Sequence, residues 1–427
     1  MRIILFTVLF FSVSCSNLSP VKRDISSIPE IDLEAFALDD DSEDQLSEVE
    51  SVKEGIFARW FDGKVGFFQN FDKPVALELI KKSKKTIDIE IYEMKDPVFR
   101  SLLISALKRG VKVRIVKDPT PVGDGCDELG EELAKDKADC KEDRAYIRSI
   151  QKLGASYVYF NKKKLCAVEG KSCFQHGKML ITDNKYLLLS TGNFNPSSFC
   201  TAESKAIKCN RDYSYVTKNK KVISYLKDIF EKDITRERWN LEGVISEGHK
   251  AVTVSPFSRP RLISIIKSAQ KSLLIQNQYL EDPELNQAIS DKAAEGLDVR
   301  VMVSDFCQYG RPKANKKMKT ASIYTAFDQT GVKTRIFTPK IKVKDLPGYL
   351  HAKAIVVDEK FAWFGSVNGS VTSTTKNREF GIIFKGRKSV KKLVKIMKAD
   401  FDHAGSLSWQ QSLACEKPSS DSEVEED

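Results

Sequence analysis

The sequence predicts an α/β fold, two tandem α/β sandwich domains related by an internal pseudo-twofold. Three observations predict it. Apolar spacing alternates along the chain between the 3.6-residue period of helices and the β-branched runs of strands. That alternation runs through twice: KKTIDIEIY leads to DPVFRSLLISALKRGVKVRIVKD, and QKSLLIQNQY leads to DPELNQAISDKAAEGLDVRVMVSD. Each run then reaches the same eight-residue pattern, His-x-Lys-x-x-x-x-Asp. Strands interleaved with helices bury one another as layered sandwiches. A repeat this long is a duplicated domain and not a solenoid.

The first 14 residues read as an export signal: Arg2, an apolar run at 3–11, then Ser12-Val13-Ser14. The run is about half the ~20 residues that a spanning helix needs. No later stretch qualifies, so no spanning helix is expected in the mature chain. Cys15 resembles the lipidated cysteine of bacterial lipoproteins, with Ser12 where Leu is usual. Ordinary signal cleavage after Ser14 suits the same residues. Both readings export the protein, either anchored in the bacterial cell envelope or periplasmic or secreted. Residues 15–54 form an acidic tether, with net charge −9 over 20–54. A first domain is expected at 55–240, a second at 250–412, and an acidic tail at 413–427. The tail, counted from 412, carries net −5, which leaves +23 on the core between tether and tail. Such a core favours polyanionic partners, a phospholipid membrane surface or nucleic acid.

Within the domains each half reads as helix, strand, helix, strand, a further helix and the His-bearing strand. Phe99, Leu102, Leu103, Ala106 and Leu107 keep helical spacing. Gly110-Val111-Lys112-Val113-Arg114 aligns with Gly296-Leu297-Asp298-Val299-Arg300 at an offset of 186. Beyond Cys15 the remaining cysteines pair by proximity as Cys126 with Cys140, Cys166 with Cys173 and Cys200 with Cys209, leaving Cys307 with Cys415. Disulfides suit an exported protein. No pair has the C-x-x-C spacing of a zinc site.

The repeated pattern carries the chemistry. His176, Lys178 and Asp183 lie in HGKMLITD; His351, Lys353 and Asp358 lie in HAKAIVVD. The chain has 4 histidines, and half carry a pattern that a given His meets by chance about once in a hundred. On a strand, His and Lys two apart share a face, while the Asp seven on faces away. The aspartates are therefore expected to be structural. A turn and second strand follow, ending at Ser190-Thr191-Gly192-Asn193 and at Gly365-Ser366-Val367-Asn368. The small residues let the chain approach a phosphate, and Asn193 and Asn368 are the expected phosphate donors. Next, Asn210-Arg211-Asp212 matches Asn377-Arg378-Glu379 at an offset of 167, against 175 at the histidines. The first half thus holds eight extra residues, the number that Cys200 and Cys209 enclose, which suggests a disulfide-pinned insertion. Asp212 and Glu379 become candidates to bind the far nitrogen of each imidazole.

This constellation resembles the phospholipase D superfamily, whose mark is HxKxxxxD followed by a GSxN-like segment, twice in one chain. The resemblance covers about 60 to 403; the first copy departs only in having Ser190-Thr191 for Gly-Ser. It implies two phospholipase D-like domains sharing one site made by His176, Lys178, Asn193, His351, Lys353 and Asn368. It also implies phosphodiester cleavage through a covalent phosphohistidine without metal or cofactor, with His176 as nucleophile and His351 as acid.

Physical chemistry asks for the same parts. One neutral imidazole attacks phosphorus while a protonated one serves the leaving alkoxide, and fixed ammoniums meet the phosphoryl charge. The expected substrate is the headgroup phosphodiester of glycerophospholipids, cleaved or transferred to an alcohol. The QNQYLEDP segment resembles cardiolipin-synthase-like members. An exported nuclease and a non-catalytic binding protein are the alternatives. Lys162-Lys163-Lys164 and the basic run 311–319 are candidate headgroup or nucleic-acid contacts. His249 and His403 are expected outside the site, and Tyr279 and Trp363 in the core.

Overall fold

The structure, a computed structural model, describes residues 66–71, 74–119, 121, 138–166, 173–246, 248–308 and 311–415. The signal, Cys15, the tether, the tail beyond Cys415 and the Cys126–Cys140 pairing lie outside them. Among the described residues no helix is long and apolar enough to cross a membrane.

Two seven-stranded mixed sheets repeat one topology. The first runs Gly66–Gln69, Tyr213–Thr217, Tyr186–Ser190, Lys178–Thr182, Thr86–Ile91, Lys112–Lys117, Ser156–Tyr159. The second repeats that order as Val252–Ser255, Glu379–Phe384, Phe361–Gly365, Ala354–Val357, Ser272–Asn277, Asp298–Ser304, Lys333–Phe337. The last three strands of each list pair in parallel, and the others antiparallel. Parallel neighbours need crossovers, which the helices supply.

Each crossover helix starts and stops on the same signals. Pro97–Lys108 is capped by Asp96, whose carboxylate accepts from the Phe99 amide at 2.8 Å. Pro283–Ala294 is capped by Asp282 in the same way. Proline at the first position costs a helix nothing there, since that N–H has no partner in the helix. Both helices are followed by a glycine at positive φ, Gly110 (+83°) and Gly296 (+90°). Phe99, Leu103, Ala106 and Leu107 are buried, as their spacing predicts.

The two halves share one apolar cluster, in which Tyr215 stacks on Phe384 at 4.7 Å and Phe67 meets Phe364 at 6.3 Å. Their seam is reciprocal. Arg211 of the first half pairs with Asp400 of the second at 2.7 Å, and Arg378 of the second with Asp233 of the first at 2.7 Å. All four groups are buried, so removing one partner leaves an unmatched internal charge, worth about 3–5 kcal/mol. The backbone crosses too. Leu346–Leu350 pairs in parallel with Cys209–Arg211 in a small third sheet, and Gln175 bridges to Arg378.

This seam corrects one expectation. Neither histidine lies on its strand: His176 precedes Lys178–Thr182, and His351 precedes Ala354–Val357. Their amides are taken by the opposite half, His176 N by Arg378 O at 2.8 Å and His351 N by Arg211 O at 3.3 Å. The hairpin Lys342–Val343/Leu346–Leu350 that leads into His351 was not foreseen. Disulfides join Cys166–Cys173, Cys200–Cys209 and Cys307–Cys415, with Cα separations of 5.7, 5.7 and 5.6 Å.

Candidate active site

Both motifs open into one cavity of about 580 Å³ at the seam, lined by His176, His351, Asn193, Asn368, Tyr92 and Tyr279 among others. The dyads are crossed. His176 Nδ1 meets Glu379 Oε2 at 2.8 Å, and His351 Nδ1 meets Asp212 Oδ1 at 3.0 Å. Each imidazole thus leans on a carboxylate of the other half. Both carboxylates are fully buried and have further donors. Asn377 Nδ2 reaches Glu379 at 3.1 Å; Thr191 and Ser198 hydroxyls reach Asp212 at 2.8 and 2.9 Å.

Burial pushes both carboxyls up, but the charges opposite win. His351 and Lys353 hold Asp212 well below the ordinary carboxylate range. His176 and Lys178 lower Glu379. Ionised acids accept from Nδ1–H, so Nδ1 is the donor and Nε2 is left for the pocket. Burial lowers His176 and His351 to about 4 each, and the carboxylates offset it only in part. Both rings are neutral at pH 7 before substrate arrives.

Lys178 and Lys353 are buried beneath their own histidines, each ammonium donating to that histidine's carbonyl oxygen. Burial is the main cause that lowers them, Lys178 to about 7 and Lys353 to about 8. An arriving phosphate restores their charge, because an anion favours the protonated form.

The motif aspartates stand apart from the pocket, but not through strand parity, since the histidines precede their strands and the aspartates follow them in the turns. Asp183 accepts from the amides of Lys84, Lys85 and Thr86 at 2.7–3.2 Å; Asp358 does the same for Gln270, Lys271 and Ser272 at 2.8–3.2 Å. They tie the hairpin turn to the entry of the neighbouring strand. Asp183 and Asp358 themselves sit at positive φ, 53° and 51°.

The asparagines are in the pocket, but their bonds differ from those expected. Asn193 Nδ2 donates to Glu93 at 3.0 Å, while its buried Oδ1 has no hydrogen-bond partner among the described residues. Asn368 bonds the Tyr279 hydroxyl, and its Oδ1 is likewise unpartnered. Gly192 serves the dyad: a Cβ there would lie 2.2 Å from Asp212 Oδ2. Tyr279 is a pocket wall and not core, whereas Trp363 is buried and bonded to Thr253 at 2.9 Å. His249 and His403 lie outside the pocket, each Nδ1 accepting a nearby amide. Lys162 pairs with Asp118 at 3.1 Å and Lys164 with Glu237, so these two lysines fasten local structure. The run 311–319 is exposed over most of its length, and Lys316 and Lys319 line a neighbouring cavity.

The pocket residues that were missed include Tyr92, Glu93, Gln278 and Tyr349. The offset of 186 could have found the first three, since it sets Tyr92-Glu93 opposite Gln278-Tyr279 just past the C-terminal ends of matching strands. Ligands of open α/β sheets gather at that edge.

Fold and pocket together define a duplicated α/β protein with a single His/Lys site shared by its halves. The chain belongs to the family described as "Cardiolipin synthase, PLD-like domain", which matches residues 76–234 and 262–401, within the phospholipase D superfamily. It is similar to "Cardiolipin synthase 1" of Bacillus anthracis, 25% identical over 373 residues covering 78% of this chain and 65% of that one. It is also similar to "Cardiolipin synthase" of Geobacillus kaustophilus, 23% identical over 357 residues, 78% of this chain and 64% of that one. The chain thus spans just under two thirds of the length of these relatives. Among solved structures it resembles phosphatidylserine synthase from Haemophilus influenzae, with TM-score 0.56, 13% identity, and 83% and 89% of the two chains covered. Polyphosphate kinase from Porphyromonas gingivalis has TM-score 0.52 at 13% identity, covering 84% of this chain and 53% of that one. At such identity these two speak to the fold alone.

Proposed function

We propose that the protein is a phospholipase D-type phosphatidyltransferase that acts on the headgroup phosphodiester of glycerophospholipids through a covalent phosphohistidine. The observation that carries this reading is the crossed pair of dyads around one pocket, with both lysines beneath. The cardiolipin synthase names of its relatives favour a phosphatidyl group over other phosphoryl groups.

In this mechanism His176 Nε2 attacks phosphorus and the P–O bond to the headgroup breaks. His351, whose affinity for a proton rises beside the bound anionic phosphate, gives the leaving alkoxide a proton from Nε2. It then takes the proton of water or an acceptor alcohol as that oxygen bonds to phosphorus and the P–N bond breaks. Glu379 and Asp212 hold the rings in the Nδ1–H tautomer and stabilise positive charge as it develops. Lys178 and Lys353 meet the charge of the phosphoryl oxygens. Asn193 and Asn368 bind the phosphate once Glu93 and Tyr279 yield their amides.

Export and lipidation at Cys15 belong to the same proposal, since either would deliver the pocket to a lipid surface. The net +23 of the core favours a second reading, an exported nuclease. One experiment separates the two. The chain lacking residues 1–15 is given mixed phospholipid vesicles with ethanol, and separately single- and double-stranded DNA, all in excess EDTA. Phosphatidylethanol is expected; shortened DNA with no lipid product selects the nuclease, and activity that EDTA abolishes contradicts the mechanism.

A further inference from the structure

The basic run at 311–319 has no part in the mechanism above. Its cations are Arg311, Lys313, Lys316, Lys317 and Lys319, and it holds no acid. It leads into the helix Ala314–Thr330, whose first turns stand clear of the body: every residue from Lys313 to Lys319 is exposed. Lys319 has an acid near it, Glu281 at 3.7 Å. Among the described residues the side chains of Arg311, Lys313, Lys316 and Lys317 have no ion-pair partner. In this they differ from Lys162 and Lys164, which are tied to Asp118 and Glu237. The helix gains nothing from these charges, because cations at its N-terminal end face the positive pole of its dipole and no acid sits in its first turn. Such a cluster finds its match in an anionic surface outside the chain.

The cluster stands at the end of a groove that starts at the histidines. Lys316 and Lys319 line a cavity with Glu281 and Ile323. Lys316, Glu281 and Ile323 also line a second cavity, of about 480 Å³, together with the apolar Leu280 and Phe306. That second cavity shares Gln278, Tyr279 and Tyr349 with the catalytic pocket. One cavity therefore opens on the next from the crossed dyads to the foot of the basic helix.

Exposed apolar side chains gather along the same groove. Of the four large ones exposed among the described residues, three adjoin groove residues in sequence. Met318, 67% exposed, lies between Lys317 and Lys319. Val371, 39% exposed, lies between Ser370 and Thr372, which line the second cavity. Ile207, 86% exposed, precedes the pocket residue Lys208. Apolar groups set among cations suit a bilayer, where ammoniums meet headgroup phosphates and apolar side chains reach the acyl boundary. A nucleic acid would be served better by aromatic rings to stack on, and 311–319 contains none.

We infer that the outer end of the helix Ala314–Thr330, with the apolar side chains along the groove, docks on an anionic phospholipid surface and so sets the groove against its lipid substrate. This rests on the phosphatidyltransferase reading and names the part of the molecule that meets the membrane. Its test reads binding and not turnover, so either can fail without the other.

The full chain is given vesicles of phosphatidylcholine alone, and vesicles of phosphatidylcholine and phosphatidylglycerol in equal parts. Sedimentation gives the ratio of the two partition constants, in which binding that ignores lipid charge cancels. The unsubstituted protein is expected to prefer the anionic vesicles, and the absence of a preference overturns the inference. Each cation at such a surface is worth about 5-fold in partition. Arg311→Gln, Lys313→Gln and Lys317→Gln together should therefore lower the ratio about 100-fold. A second triple variant loses the same charge at exposed Lys271, Lys391 and Lys395, and should lower it less than about 5-fold. Exposed side chains of this kind can be replaced with little effect on folding. Equal losses in the two triple variants overturn the inference in favour of net charge. A first triple variant that keeps its vesicle ratio and loses binding to single-stranded DNA overturns it in favour of a nucleic acid. Met318→Gln should weaken binding to the anionic vesicles about 5-fold, and unchanged binding would overturn the seating given to the helix.

Discussion

The two dyads are built on the same plan and fastened with different strength. Asp212 is short, takes two hydroxyl donors besides His351, and is reached only because Gly192 has no side chain in the way. Glu379 is longer and takes one amide donor besides His176. A carboxylate held by more donors stays ionised more firmly and supports an adjacent positive ring better. The His351 dyad is therefore suited to carry the imidazolium of the acid step. The His176 dyad is suited to the neutral nucleophile. Duplication supplied two equal dyads, and small differences around the acids give them separate roles.

Substitutions on either side test that contrast. The largest effect is expected at the imidazoles, where His176→Ala or His351→Ala should lower kcat on vesicles by about 10³-fold or more. A diester with a nitrophenol leaving group distinguishes the two. It needs no acid, so its release in the first turnover should recover in His351→Ala and stay lost in His176→Ala. Equal recovery in both would erase the assigned roles.

Next come the acids. Asp212→Asn and Glu379→Gln should each lower kcat by about 10–100-fold, as groups that orient a reacting imidazole do. The loss in Asp212→Asn should shrink with the nitrophenol substrate, and that in Glu379→Gln should not. Gly192→Ala pushes a methyl group against Asp212 and should cost about 1–3 kcal/mol of stability. Thermal unfolding would measure it, and an unchanged Tm would show that Asp212 is free to shift. Smaller still is Asp358→Ala, which removes a tie to three amides far from the pocket. It should lower Tm while leaving kcat nearly intact.

The pH response follows from burial. The mechanism needs two ammoniums and one imidazolium, and burial lowers all of these groups in the empty pocket. All are lost as pH rises, and kcat/KM reports the free enzyme. It should therefore decline with rising pH, most steeply through about 7 to 8 where Lys178 and Lys353 lose their protons. A rate that climbs across this interval would contradict the part given to the lysines.

Much of this was legible in the sequence because duplication marks it. Residues at a constant offset must occupy matching places, which located both motifs, both acids and the disulfide-bounded insertion. The aspartates were read as structural from strand parity, but His and Asp both lie outside the strands, and the turn after each strand is what carries the aspartates away from the pocket. What escaped is non-local. Spacing along the chain cannot show that Glu379 turns to His176 and not to its own His351, since the choice is made by how two sheets meet. The same seam pulled the histidine amides off their strands. The repeat offset marks Glu93 and Tyr279 as matching positions but not what surrounds them, since an acid or a phenol at a strand end looks alike whether it faces solvent, core or ligand. Lys162 and Lys164 looked like a binding patch, because their partners Asp118 and Glu237 lie far along the chain.

The most direct measurement of the shared site is the stoichiometry of the trapped intermediate. Rapid acid-free quenching during turnover of a labelled phosphatidyl substrate, followed by peptide mapping, should place no more than one phosphoramidate on each chain, at His176. Label on both histidines of one chain would mean two independent sites. Full turnover with no label on either would end the covalent account.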